Sequence, residues 1–304
     1  LAEGALVTQF LQATVAGLSL ASIYILLALG FVIIYKSMQV LSFAHPAVMI
    51  FGAYMVSYFA IDRGWNFWLA LLAGAAATAL LGLAAQWVFI RPMIGKPVFA
   101  IAILTIGLDI AIRTPVTTAI GLNIRTVGDP WGFNTWNVEG VIIQQRGAAM
   151  VVTSIVVVVA IFAFFRYSRM GLAMRATAFD QETALAQGIN VGRIFAVAWM
   201  LAGAMAALAG MFASTDLSGL NQGTWVIALK ALPAIVVGGL DSIGGAVLGG
   251  LIIGLAEAYT ATYQSQYLGF LGFNFSQVVP YAVMLIVLLV RPYGLFGTRE
   301  VERV

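Results

Sequence analysis

Apolar runs long enough to cross a bilayer recur along the whole chain, and charged residues fall mostly between them. A membrane-spanning helix needs about 20 predominantly apolar residues in a row. Nine segments are expected as spans, at about 8–35, 42–61, 66–90, 98–120, 148–165, 193–214, 225–240, 243–262 and 277–291. The runs are continuously apolar rather than alternating, which argues against a transmembrane β-barrel. Composition agrees: 62% of residues are hydrophobic and 9% are charged, where a soluble domain has about 45–50% and about 25%. The expected fold is an all-α polytopic membrane protein with about 8–9 transmembrane helices, some of them discontinuous. Segment 225–240 is short enough to be a half-crossing, and residues 1–304 read as a single transmembrane domain.

Several chemistries are excluded by what is missing. With no cysteine there is no disulfide, thiolate metal site or cysteine nucleophile. A lone histidine, His45, excludes a multi-histidine metal site. No basic stripe with interleaved aromatics suggests nucleic acid. The opening residues "LAEGALVTQF" lack a basic n-region, so a cleaved signal peptide is not expected. No phosphate-binding G-x-x-x-x-G-K-[ST] loop is present: Gly95-Lys96 is followed by Pro97 and lacks the earlier glycine.

Charge placement gives an orientation. Arg91 and Lys96 share one connection, Arg166, Arg169, Arg175 and Arg193 bracket another, and Arg291, Arg299 and Arg303 mark the C-terminal region. The connections 121–147, 215–224 and 263–276 are poor in Lys and Arg and carry Trp131, Trp136, Trp225, Tyr263 and Tyr267. The positive-inside rule then places the N-terminus outside and the C-terminus in the cytoplasm, with the aromatics as interfacial anchors.

Two stretches echo each other. "AHPAVMIFGA" (44–53) and "ALPAIVVGGL" (231–240) both read Ala-x-Pro-Ala, then apolar residues, with Gly at the ninth position. In the orientation above they run in opposite directions, as an inverted repeat does, and interrupted segments in two halves point to a transporter's substrate path. Ser42, His45, Pro46, Pro233, Gly238 and Gly239 are therefore candidates for the translocation pathway. Alternatively, Ser42 and His45 cap a broken helix. In "GGLDSIGGAVLGGLIIGLAEA" (238–258), Gly245 and Gly249, like Gly250 and Gly254, are four apart, a spacing that lets helices approach closely. Asp241 is a candidate N-cap for the helix that follows.

Charges inside spans are costly unless they pair or face water. Asp109 and Arg113 are four apart and share a helix face. Lys230 and Glu257 are expected at similar depth on neighbouring spans, close enough to pair. Two such pairs do not make a proton relay.

The segment 169–190, "RMGLAMRATAFDQETALAQGIN", is polar-leaning and helical in pattern, on the basic side between spans. Gly171 is placed to open it and Gly188 to end it in a left-handed cap, with Asn190 capping the next span. Arg175, Asp180 and Glu182 give it exposed charge. It either docks into a partner's groove or lies on the membrane surface; its small-residue apolar face is a weak lipid anchor.

The stretches "LSFAHPAVMIFGAY" (41–54), "FRYSRMGLAMRATAFDQETALAQGIN" (165–190), "LAGAMAALAG" (201–210), "VVGGLDSIGGAVLGGLIIGLAEA" (236–258) and "RPYGLFGTREVERV" (291–304) together resemble the permease subunits of branched-chain amino acid ABC importers, the LivH type. The resemblance implies one permease domain over 1–304 in a bacterial cytoplasmic (inner) membrane, carrying small, branched-chain or hydrophobic amino acids inward. It implies a second permease of the LivM type, two cytoplasmic ATPases that use ATP and magnesium, and an extracytoplasmic binding protein. The chain itself would hold no cofactor, metal or catalytic residue, and 169–190 would be the coupling helix region. One departure stands out: the family's usual Asn-Phe-Ala-His-Gly-Glu reads Ser42, Phe43, Ala44, His45, Pro46, Ala47 here. The same architecture serves urea, amides and other small acids. An ion-coupled secondary transporter using Asp109 or Glu257 is the alternative. An intramembrane enzyme would need an acid, base or nucleophile cluster that the sequence does not offer.

Overall fold

The computed structural model describes residues 2–179, 181–216, 218–267, 269 and 274–298. The chain enters on α1, Ala2–Met38, whose apolar run continues without a helix breaker. It stops where Gln39 adopts a left-handed backbone with φ 56°. Residues 39–44 are not helical, and α2 follows, His45–Ser57, with Pro46 in its first turn and five π-helical residues, Tyr58–Asp62, at its end. Next come α3, Phe67–Ala85, capped by the Asn66 side chain on Trp68 N, and α4, Val98–Ile120. A two-stranded antiparallel hairpin, β1 (Thr135–Val138) and β2 (Val141–Gln144), lies in the connection to α5, Gln145–Tyr167.

The second half contains α6 (Arg169–Phe179), α7 (Gln181–Ala186), α8 (Val191–Ala213), α9 (Val226–Leu229), α10 (Ala231–Gly238), α11 (Ile243–Tyr267) and α12 (Val279–Val290). Six helices among the described residues are long and apolar enough to cross a membrane: α1, α3 with its π-helical continuation, α4, α5, α8 and α11. About eight or nine spans are expected from the sequence, some of them discontinuous; beside these six, shorter apolar helices take up the remaining expected segments. The segment at 42–61 gives only thirteen α-helical residues before its π turn. The segment at 225–240 splits at Lys230 into α9 and α10, and that at 277–291 gives a twelve-residue helix. At about 1.5 Å per residue these pieces fall short of a bilayer core of about 30 Å. The fold is all-α as expected, and the short hairpin is confined to a connection between helices.

Two compact units divide the chain. One comprises 29–130 and 157–229. In it α8 packs on α2 and α3, and α2 packs on α3 and α4. Glycines set these approaches: a side chain at Gly52 would meet Ala207, at Gly203 the Thr78 backbone, at Gly82 the Trp199 carbonyl, and at Gly210 the Met49 carbonyl. Small residues in membrane helices trade side-chain bulk for backbone contact in this way.

The other unit comprises 1–28, 131–156 and 230–304. Here the two glycine pairs of the 238–258 run serve different neighbours. Gly245 and Gly249 lie against Gly238 and Ala234 of α10, whereas Gly250 and Gly254 lie against Ile25 and Ala21 of α1. We expect G249A to drive a methyl group into the Ala234 carbonyl and Gly238 N, an overpacking worth about 1–3 kcal/mol. The thermal midpoint of the purified protein should fall; an unchanged midpoint would show slack in this contact.

Candidate functional site

Three clusters carry the polar chemistry, each within one unit. The first is the break before α2. Ser42 and His45 are sealed, with 2% and 1% of their surface accessible. The imidazole lies 4.4 Å from the Phe31 ring and against Gly30, where any side chain would collide with it. Among the described residues, neither Ser42 Oγ nor His45 Nε2 has a hydrogen-bond partner. Neighbouring backbone groups are held by α4: Phe43 N–H donates to Thr105 Oγ1 at 3.0 Å, and Ala47 N–H to Asp109 Oδ1 at 3.1 Å. The carboxylate thus caps the positive end of α2. Arg113 pairs with Asp109 at 2.9 Å and lies over the Trp225 ring, 4.2 Å from its centre. Thr105, Asp109 and Arg113 recur every fourth residue along α4. The (i, i+4) pair was legible in the sequence; its capping duty, Thr105 and Trp225 were not, because they depend on which helix packs beside α2.

Pro46 and Pro233 share a local role: each sits in the first turn of its helix. They start helices after a break rather than loosening the turn before them, since proline needs no N–H donor at a helix start. Their partner glycines differ, however. Gly52 lies inside α2 against Ala207, while Gly239 terminates α10 with φ 108°. The echo is therefore shared at the prolines and not at the glycines.

The second cluster joins α10 to α11. Lys230 Nζ lies 2.5 Å from Glu257 Oε1, and the Tyr24 hydroxyl donates to Oε2 at 2.6 Å. Both carboxylate oxygens are engaged, as a charge withdrawn from water requires. Glu257 lies farther from the end of its helix than the sequence suggested, because α11 runs on to Tyr267. Below α10, residues 294–298 fold back as a strap. Leu295 N–H donates to Val237 O at 2.8 Å and Phe296 N–H to Gly238 O at 3.0 Å. Asp241 does not cap α11; it accepts from Thr298 N and Oγ1, and the Ser242 hydroxyl caps α11 by accepting from Gly245 N.

The third cluster is the segment 169–190. Ser168 rather than Gly171 opens it, its hydroxyl accepting from Gly171 N at 2.8 Å. Gly171 is the third residue of α6 and must be small, because it rests on the Phe164 and Phe165 backbone. Gly188 does end α7, with φ 81°. Its N–H donates to Leu185 O and that of Ile189 to Ala184 O, a Schellman pair. Asn190 Oδ1 accepts from Arg193 N and caps α8. Met174 and Thr177 are buried; Arg175 is exposed. Asp180 and the Glu182 side chain lie outside the described residues. The exposed face is not small, as expected, but carries Leu172 and Phe179, the latter 92% accessible.

The long apolar helices and the charge pairs among them define a polytopic helical membrane protein. Its relatives are specific about which kind. The family described as branched-chain amino acid transport system / permease component matches residues 13–288, and the chain belongs to that family. It is 34% identical to the high-affinity branched-chain amino acid transport system permease protein LivH of Escherichia coli K12, over 97% of this chain and 98% of that one. It is 30% identical to BraD of Pseudomonas aeruginosa, over 97% and 98%. A probable LivH of Methanocaldococcus jannaschii is 26% identical over 91% and 89%. Among solved structures, PsaBC from Streptococcus pneumoniae in complex with Fab is similar over 93% of this chain and 91% of that one, with a TM-score of 0.48 and 15% identity.

Proposed function

We propose that this chain is the LivH-type half of an ATP-driven importer that carries branched-chain and similar small apolar amino acids from an extracytoplasmic binding protein into the cytoplasm. The match to the permease family over residues 13–288 carries this reading. The complex would contain a second permease of the LivM type and two cytoplasmic ATPases, where ATP and magnesium act. The N-terminus lies outside and the C-terminus inside a bacterial cytoplasmic membrane. Two facts support this orientation: Lys36 closes α1, and Arg125, on the outer side, is neutralised by Asp62 at 2.5 Å. α6 and α7 form the coupling region, presenting Leu172, Arg175 and Phe179 to an ATPase.

In this mechanism the chain's own residues orient and move helices. ATPase closure displaces α6–α7, and the tight Gly171 corner passes that displacement to α5. Bound charges stay paired throughout: Asp109 with Arg113, Lys230 with Glu257.

The test is uptake of labelled leucine, isoleucine and valine into proteoliposomes holding the complete complex. Uptake should require internal ATP and external binding protein. Uptake by this chain alone, driven by a proton or sodium gradient, would replace the importer reading with an ion-coupled one.

A further inference from the structure

The break between α1 and α2 holds several features that a static packing element does not need. Gln39 is held in a left-handed backbone, φ 56°, which non-glycine residues rarely adopt. Residues 39–44 form no helix although apolar helices flank them on both sides. Irregular backbone at membrane depth persists only when buried in protein or lining water. Here its alternate residues are buried, Val40 at 3% accessible, Ser42 at 2% and Ala44 at 0%, with His45 at 1%, while Gln39 is exposed. Yet Ser42 Oγ and His45 Nε2 find no partner among the described residues, and a buried polar group without one is expensive. The two N–H groups that frame the α2 start, Phe43 and Ala47, are held by side chains of a different helix, Thr105 and Asp109. Side-chain tethers of this kind can be exchanged without unwinding a helix.

We propose that Ser42 and His45 are a cryptic polar site. It is sealed in this conformation and opens to water, and to the polar end of the passing solute, in the opposite state of the transport cycle. Residues 39–44 are the hinge. The two unpaired groups and the left-handed Gln39 raise the energy of the sealed state, and their relief favours the open one, so the two states lie close enough for a partner to shift the balance. Gly30 leaves room for the imidazole in the sealed state. The inference rests on the transport reading above.

The chain contains no cysteine, so S42C places one thiol at the site. The complete transporter in proteoliposomes is treated with a water-soluble methanethiosulfonate, and modification is read on this chain by peptide mass spectrometry. At rest S42C should be nearly inert; with ATP and solute-loaded binding protein it should react about tenfold faster, as expected if turnover populates a minor state. A44C is the second placement, should S42C not assemble. In parallel, S42A removes an unpaired hydroxyl: it should raise the thermal midpoint while lowering uptake, a combination that a purely structural residue would not give. Equal labelling at rest and in turnover, fast or slow, while the unsubstituted chain transports, overturns the proposal. So does S42A with a lowered midpoint and normal uptake, which would mark a locked internal water. Failure of uptake by the unsubstituted complex removes the importer reading itself, and the cryptic site with it.

Discussion

E257A is expected to prevent accumulation of folded protein. Glu257 accepts from both Lys230 and Tyr24, and the pair is largely out of water, with 15% and 9% of the two side chains accessible. Removing the carboxylate leaves an ammonium and a phenol hydroxyl unsatisfied inside a membrane protein. Breaking a buried pair from one side costs about 3–5 kcal/mol, a large share of a typical stability of about 5–15 kcal/mol. The double substitution K230M/E257L removes both charges and replaces them with apolar side chains of similar reach. It should recover most of the loss, because a buried pair contributes little beyond what good packing supplies. The comparison is made on the yield and thermal midpoint of detergent-purified protein. An E257A protein as stable as the parent would show that the pair is hydrated in the membrane and carries no structural weight.

F179D should do the reverse, leaving the fold untouched and stopping transport. Phe179 is 92% accessible, so no packing within this chain is lost, and surface substitutions of this kind shift stability by about 0.5 kcal/mol or less. A carboxylate at the tip of α6 would be buried without a partner if that face docks on an ATPase. Uptake should fall by at least about tenfold, and less ATPase should co-purify, since truncating a central aromatic anchor commonly costs about 2 kcal/mol or more. Normal uptake by F179D would move the coupling contact elsewhere on the chain.

The sequence was informative where chemistry is local. Apolar length placed the long helices within a few residues, as at Val98–Ile120. The four-residue spacing of Asp109 and Arg113, the left-handed glycine at 188 and the Asn190 cap all follow from helix geometry within a single turn. Even the long-range Lys230–Glu257 pair was reachable, because unpaired charges in spans have few tolerable alternatives. What stayed hidden depends on which helix lies beside which. Thr105 and Asp109 become the cap of α2 only because α4 packs there. Ser168 took the capping position assigned to Gly171, whose small size serves the helix corner instead. Asp241 lost its expected role to Ser242 because a distant threonine, Thr298, competes for its carboxylate.

That last arrangement bears on the order in which the chain can be finished. The final carbonyls of α10, at Val237 and Gly238, are satisfied by Leu295 and Phe296. During synthesis, α10 and α11 are both made before their strap exists. Until residues 294–298 leave the ribosome, the end of α10 has open acceptors, and water or a chaperone must serve them. A message truncated after α12 would thus encode all six of the long apolar helices and still yield a hairpin with an unsealed end, which gives quality control a physical mark by which to recognise the shortened product.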